Sequence, residues 1–185
     1  MRRALKRELD RLFAIRERQG APLTRRDGAS DEDLSGAEAR CGVRFDEDFR
    51  DLYRFSNGGA YLDIWFAAIT DQLRPFRFYS LPDLCQVLGW TTESGCIPGS
   101  DNGGVPRDPR IRPLDRHTLW VPFADYGNGD AILYFDADPT SEGTYGQIIS
   151  FQGEPESIRW CARDLATFLR ESNDLLSRHG ARLLR

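Results

Sequence analysis

Apolar residues recur with the 3.6-residue period of an α-helix in five segments of the chain. In the first segment Leu5, Leu9, Leu12 and Phe13 share one face and charged residues occupy the rest. This pattern predicts an amphipathic helix that docks on the core by its apolar stripe. Contact with nucleic acid or a membrane is the alternative role for its charged face. The other four segments begin after Ser30, Asp46, Ser80 and Asp164.

Small polar residues and glycines delimit these helices. Ser30 stands three residues before Asp33, a spacing typical of a capping box. Gly42 and Gly180 are expected to end the second and last helices, and residues 57–59, Asn-Gly-Gly, to end the third with a left-handed glycine. The apolar sides of the third and last helices carry Phe49, Leu52 and Tyr53, and Leu165, Phe168, Leu169, Ser172 and Leu176.

Alternating and continuous apolar runs predict β-strands elsewhere. Residues 61–69 have the aromatic and aliphatic content of a strand. Residues 120–151 contain two apolar runs joined by Asn128-Gly129, a type I′ hairpin signal, then a turn at 136–139 and a third strand opened by Gly146. Because residues 131–135 are apolar at every position, we expect that strand to be covered on both faces, by helices.

Residues 94–118 form the least regular part of the chain. Glycine and proline recur throughout this stretch, and a structureless loop of such length is uncommon in a compact domain. It is either a mobile binding loop or a segment that contains short strands, for which residues 110–114 are the best candidate.

Length and composition favour one globular domain. The chain has 185 residues, 40% of them hydrophobic, and no apolar run approaches the roughly 18 residues of a membrane helix. The basic N-terminus lacks the apolar region of a signal peptide. Four widely spaced cysteines indicate reduced thiols and a cytoplasmic protein. No cysteine has a histidine partner in sequence, so His117 and His179 are interpreted as a loop residue and a helix C-terminal charge.

Charge is unevenly distributed although the net charge is only −4. Residues 1–26 hold nine basic and three acidic residues, whereas residues 118–158 hold seven acidic residues and no basic one. The acidic residues gather in the turns of the predicted sheet. An acidic rim of this kind favours a basic partner.

Two arrangements within this acidic stretch resemble chemical sites. Asp125, Asn128 and Asp130 have the alternate spacing of a calcium loop, but the twelfth position is Asp136, in the next turn, instead of the usual glutamate. Asp136 and Asp138 could form a catalytic carboxylate pair, but no histidine or lysine is near them in sequence. We interpret both groups as turn residues. We therefore predict no catalytic residues, no metal and no cofactor.

Two blocks of sequence carry a resemblance to a known family. They are residues 28–59, GASDEDLSGAEARCGVRFDEDFRDLYRFSNGG, and residues 120–151, WVPFADYGNGDAILYFDADPTSEGTYGQIISF, which are followed by a helix that begins ARDLATFL. Their order and spacing are similar to the SUKH superfamily, which includes fungal cell-wall-synthesis regulators and many bacterial toxin-immunity proteins. The chain departs from the family at Phe45-Asp46, where Leu-Pro is usual, and in the loop at 94–108.

The resemblance implies an α+β fold, a mostly antiparallel sheet flanked by helices in a single domain. Within residues 1–185 we expect an N-terminal helix and linker at 1–27, a core at 28–178 and the long variable loop at 94–118. The resemblance also implies binding rather than catalysis. Among the tryptophans, most are expected in the core, with one or two exposed as interface anchors.

Three functions follow, in order of preference. The first is a bacterial immunity protein that binds and neutralises a basic, nuclease-like toxin domain, as a monomer and without contacting nucleic acid or membrane. The second is a regulatory interaction domain in signalling or cell-wall synthesis. The third is a metal-dependent hydrolase that uses the acidic turn residues. For the first function we predict the partner-binding residues Asp125, Asn128, Asp130, Asp136, Asp138 and Glu142.

Overall fold

The computed structural model describes residues 1–70, 72–93, 95–99, 102–127, 129–153 and 156–183. The five helices of this part of the chain are α1 (Arg3–Arg18), α2 (Asp31–Cys41), α3 (Glu47–Phe55), α4 (Leu81–Thr92) and α5 (Leu165–Leu183). Its strands are β1 (Phe66–Ile69), β2 (Leu73–Phe78), β3 (Ile97–Pro98), β4 (Leu114–Arg116), β5 (Trp120–Tyr126), β6 (Ala131–Asp136), β7 (Gln147–Gly153) and β8 (Glu156–Ala162).

Six of the strands form one antiparallel sheet in the order β1-β2-β5-β6-β7-β8, and β3 pairs with β4 separately. The hydroxyl of Thr70, just after β1, donates to Oε1 of Gln152 on β7 at 2.7 Å. Three strands separate β1 from β7 in the sheet order, so this contact requires the sheet to curl. The α+β class with an antiparallel sheet and flanking helices is confirmed.

The predicted capping residues start the helices. The Ser30 hydroxyl accepts from the Asp33 amide, and the Asp33 carboxylate accepts from the Ser30 amide in return. Asp46 and Ser80 accept from the third residue of α3 and α4. Asp164 accepts from the Thr167 amide at 2.7 Å. Each contact satisfies a helical N–H that has no partner within its helix, a contribution of about 1 kcal/mol per cap.

The helices cover one face of the sheet. Leu5, Leu9 and Leu12 of α1 are fully buried, and α1 lies against α5. The amide of Asn173 on α5 donates to the backbone carbonyl of Glu8 at 2.8 Å. The amphipathic stripe of the first helix therefore docks on the core as predicted. In the described part of the chain, no helix has the length and apolarity needed to cross a membrane.

The other face of the sheet is covered by the long variable loop instead of a helix. The strand at 131–135 is buried at every position, as predicted, but Ile132 and Tyr134 pack in a separate cluster with Ile111 of the loop. Asn102 fastens the loop to β8, because its side chain accepts from the Ile158 amide at 2.6 Å and donates to the Ile158 carbonyl at 3.3 Å. The expectation of helices on both faces was wrong.

Several predicted boundaries also differ from the structure. The strand expected from residue 61 begins only at Phe66, and the strand expected at 110–114 is β4, at 114–116. Helix α3 ends at Phe55 with an extended residue, not with a glycine cap. Helix α5 continues through Gly180, where a side chain would stand only 2.0 Å from Nε2 of Gln19. Gly180 therefore serves the close approach of α1 and α5.

Candidate functional site

A cleft of about 580 Å³ opens on the second face of the sheet. One wall is α4 and another is the segment at 59–61, while β4 and the residue after it close one side. The floor consists of side chains from β2, β5, β6 and β7. The cleft thus occupies the part of this sheet face that the long variable loop leaves open.

The floor and the mouth of the cleft are rich in apolar and aromatic side chains. Trp120 and Tyr134 form part of the floor, with ring centroids 6.2 Å apart. At the mouth, Trp90 of α4 is 63% exposed and Tyr61 is 69% exposed. Leu62, the next residue in sequence, is 84% exposed. Exposed aromatic side chains beside an apolar cleft are typical of a protein-binding surface.

An ion pair lies at the bottom of the cleft. Arg77 on β2 is the register partner of Asp125 on β5, and its Nε and Nη2 donate to the two carboxylate oxygens at 2.8 Å each. The Tyr61 ring lies over this guanidinium, with its centroid 4.7 Å away. The hydrogen bonds from Arg77 to Asp125 raise the pKa of Arg77. Asp125 therefore holds Arg77 and, through it, the exposed ring of Tyr61.

Charged side chains of both signs line the cleft. They are Arg26, Arg77 and Arg116, and Asp83, Asp115 and Asp125. The acidic segment at 118–158 thus folds against basic residues that come from other parts of the chain. The cleft itself is not an acidic surface.

His117, at the edge of the cleft, links two residues that are distant in sequence. Its Nε2 lies 2.7 Å from Oδ2 of Asp138, and its Nδ1 lies 3.2 Å from Sγ of Cys96. Arg112 donates to the other oxygen of Asp138 at 2.8 Å. Burial tends to raise the pKa of Asp138, but the hydrogen bonds from Arg112 and His117 outweigh it, so this pKa lies below its usual value.

The structure separates the predicted partner-binding residues into two groups. Asp130 and Glu142 are exposed, whereas Asp125 and Asp136 are buried. Burial raises the pKa of Asp136, which accepts from Nε2 of Gln147 at 2.8 Å and from the Asp138 amide at 3.0 Å. These acids do not form one continuous exposed rim. The sixth predicted residue, Asn128, and with it the predicted hairpin turn, lie outside the described residues.

The calcium-like spacing does not assemble a metal site in the described residues. Both carboxylate oxygens of Asp125 are occupied by Arg77. More broadly, no group of three or more His, Cys, Asp or Glu side chains suited to a metal ion occurs in the described part of the chain.

Sequence reasoning missed the contacts that long-range folding creates. It found no histidine partner for any cysteine and none for the carboxylates after β6, yet His117 contacts both Cys96 and Asp138. It also did not identify Arg77 or Trp90. For Trp90 a signal was available, since it falls off the buried stripe formed by Leu81, Leu84 and Leu88 of the same helix.

The comparison with protein families matches the geometry described above. A model of the SMI1/KNR4 family (SUKH-1) matches residues 28–171, which is most of the chain and runs from the start of the α2 cap into α5. Among curated proteins, no sequence matches the chain. The family match spans both walls, the floor and the mouth of the cleft. The chain belongs to the SMI1/KNR4 family (SUKH-1).

Proposed function

We propose that this protein is a non-catalytic binding domain that neutralises a bacterial toxin domain by docking it on the cleft. The observation that carries the proposal is the exposure of Trp90 and Tyr61 at the mouth of an apolar cleft. Large aromatic side chains that are left in water in the free protein are the usual anchors of protein interfaces. Their burial by a partner would remove a large apolar area from water.

Family membership supports this class of function. The SMI1/KNR4 family includes immunity proteins and cell-wall regulators, which act through protein interactions. An immunity protein acts by occupying its toxin, one molecule for one, so it needs a stable and complementary surface more than reactive groups. We propose that the protein works in this way in the cytoplasm as a monomer, where the toxin would reach its target.

The exposed acids define the expected partner more closely. Asp130 and Glu142 are the predicted binding residues that the fold leaves in solvent, and we propose that they attract a basic, nuclease-like toxin domain. Charges at the rim of an interface mainly accelerate association. In this proposal Asp125 acts by positioning Arg77 and Tyr61, and Asp138 contacts the partner beside His117.

The test is co-expression with the toxin encoded beside the gene, together with a binding measurement on the purified pair. We expect rescue of growth and a complex of one to one. Trp90→Ala should weaken binding by at least about 30-fold, the effect of losing an interface anchor of 2 kcal/mol. Ile69→Ala is the matched control, because Ile69 is 61% exposed but borders a different cleft, between β1, β8 and α5.

The contribution of charge is tested separately. The double variant Asp130→Asn, Glu142→Gln should slow association about tenfold at low salt, with a smaller effect at high salt and little change in the dissociation rate. A toxin that neither binds nor is neutralised would reject the proposal, and equal weakening by Trp90→Ala and Ile69→Ala would reject the cleft as the site.

The second candidate is a regulatory interaction domain. The mixed charge of the cleft, with Arg26 and Arg116 facing Asp83 and Asp115 across the lining, favours it, because such a surface does not select for a basic partner alone. A partner that is unrelated to any toxin, and whose binding Trp90→Ala abolishes, would establish this function instead.

A further inference from the structure

A thiol, an imidazole and a carboxylate lie in a row at the edge of the cleft. Cys96 precedes β3, His117 follows β4, and Asp138 lies in the turn after β6. The Cys96 sulfur is 3.2 Å from Nδ1 of His117, whose Nε2 is 2.7 Å from the Asp138 carboxylate. The antiparallel pairing of β3 with β4 places Ile97 opposite Arg116 and so brings the neighbouring Cys96 and His117 together.

The imidazole is held on several sides. Asp138 fixes one ring nitrogen, and the Trp120 ring contacts the imidazole edge to face, with centroids 5.8 Å apart. Asp138 is itself held by Arg112 at 2.8 Å. A nucleophile, a base within hydrogen-bond reach and a third group that orients the base are the arrangement by which proteins activate thiols.

Cys96 differs from the other cysteines in its surroundings. It is exposed, whereas Cys41 is buried, and burial raises the pKa of Cys161 to about 11. The backbone N–H of Thr118 and then the His117 imidazole hydrogen-bond the Cys96 sulfur and hold the pKa of this thiol below its usual value. A lower pKa and access to solvent together distinguish a reactive cysteine from a structural one.

We propose that Cys96 is a nucleophilic thiol that accepts one acyl group from a thioester or an activated ester, with His117 as its base and Asp138 as the residue that orients His117. This activity is independent of the proposed toxin binding. The family match and the comparisons assign no residue to it.

The reaction exchanges one acyl bond for another. His117 takes the proton of the Cys96 thiol, and the thiolate attacks the carbonyl carbon of the donor. A bond forms between that carbon and Sγ, the bond from carbon to the donor's sulfur or oxygen breaks, and the leaving group departs with the electron pair. His117 then returns the proton to the leaving group. The products are an acyl-Cys96 thioester and the free thiol or alcohol, with no oxidant or reductant required.

The same geometry explains why the acyl group should remain on the protein. Hydrolysis of a thioester is accelerated by N–H groups that bind the oxyanion of the intermediate. Near Cys96, the Thr118 amide is directed to the sulfur and the Gly95 amide donates to the Thr92 carbonyl at 2.8 Å. Both are already engaged, so we expect one acylation per chain followed by slow release.

The cleft provides room for the donor beside the thiol. His117 and Trp120 line the cleft and both belong to or contact the reactive group. An acyl donor with an apolar portion can therefore place that portion against the aromatic floor while its carbonyl faces Cys96. Occupation of the cleft by a protein partner would shield the thiol.

The experiment uses the full chain and p-nitrophenyl acetate near pH 7. We expect a burst of about one equivalent of p-nitrophenolate and a single acetyl group, located on Cys96 by mass spectrometry of peptides. Cys96→Ser should remove the burst, and it should leave the fold intact because the side chain is exposed. Cys85→Ser is the matched control and should keep it, although an interaction with Cys41 lowers the pKa of Cys85 to about 7.

The roles of the other two residues are read from the pH dependence. His117→Asn should slow acylation roughly 100-fold, the usual contribution of a general base, and shift its rise to higher pH. Asp138→Asn should shift the profile in the same direction, and Asp138→Glu should restore part of it. An unchanged burst in Cys96→Ser, or a wild-type pH profile in His117→Asn with circular dichroism showing an intact fold, would overturn the proposal.

Discussion

Arg77 and Asp125 face each other across β2 and β5 and share two parallel hydrogen bonds of 2.8 Å. The Asp125 side chain is only 2% exposed, so its charge depends on Arg77 for compensation. The pair sits below the exposed ring of Tyr61. This single relationship turns a residue of the predicted acidic rim into a support for the mouth of the cleft.

Arg77→Met should destabilise the protein, because it leaves the buried Asp125 carboxylate without its partner. We expect a loss of about 2 kcal/mol in the free energy of unfolding, less than for a fully buried pair since Arg77 is partly exposed. Urea denaturation measures it. Lys6→Gln breaks the exposed pair of Lys6 with Asp10 and should have no measurable effect; an equal loss in both variants would contradict the assigned role.

The two tryptophans of the cleft should respond differently to truncation. Trp120 is 2% exposed, so Trp120→Ala should cost about 3 to 5 kcal/mol of stability through the cavity it creates. Trp90 is mostly in solvent, and Trp90→Ala should leave the urea midpoint close to that of the wild type. A large loss in Trp90→Ala would show that this residue belongs to the core and is not available as an anchor.

Asn102 should be required for the loop to cover the second face. Asn102→Gly keeps the left-handed backbone, where Asn102 has φ of 55°, but leaves the buried Ile158 amide and carbonyl without the side-chain amide. We expect a loss of about 2 kcal/mol. Hydrogen exchange of the Ile158 amide should accelerate more than that of Ile148, on the neighbouring strand. Unchanged protection of Ile158 would exclude this anchoring role.

Asp108 should contribute to acid sensitivity. The hydrogen bond from Arg110 holds the pKa of Asp108 below its usual value, and the Arg110 guanidinium lies 3.5 Å from the centroid of the Trp160 ring. A lowered folded-state pKa gives stability that is present above the unfolded value of 3.8 and lost as pH falls through the folded value.

The test is the stability difference between the wild type and Asp108→Asn as a function of pH. We expect the wild type to be the more stable near pH 7 and the difference to shrink steadily below about pH 4. Glu32→Gln, a change at an exposed position of α2, provides the comparison. A difference that grows as the pH falls would have the wrong sign for this ion pair.

Local signals in the sequence predicted the regular elements well. The capping groups of Ser30, Asp46, Ser80 and Asp164 act on neighbours three residues away, so they are visible without the fold. Gly180 was misinterpreted, because the same residue type that ends helices also permits close packing between them. Its partner, Gln19, is distant in sequence and could not be identified from local pattern.

The candidate site depended on contacts that no local pattern contains. The acids at 118–158 were correctly placed in one segment, but sequence separation hid Arg77 from Asp125 and Arg112 from Asp138. The loop at 94–118 matched both of its open descriptions in part, since it contains short strands and borders the cleft. Its role as a cover for the sheet depends on Ile111 and Asn102 reaching β6 and β8.

By itself the sequence determined the family, the α+β class, the helix starts and the buried strand at 131–135, because periodicity and capping act over a few residues. Only the tertiary structure decided which acids remain in solvent, which tryptophan stays exposed, and that Cys96, His117 and Asp138 meet. Charge compensation and burial depend on distances in space, and strand pairing in the curled sheet brings together residues that the chain keeps far apart.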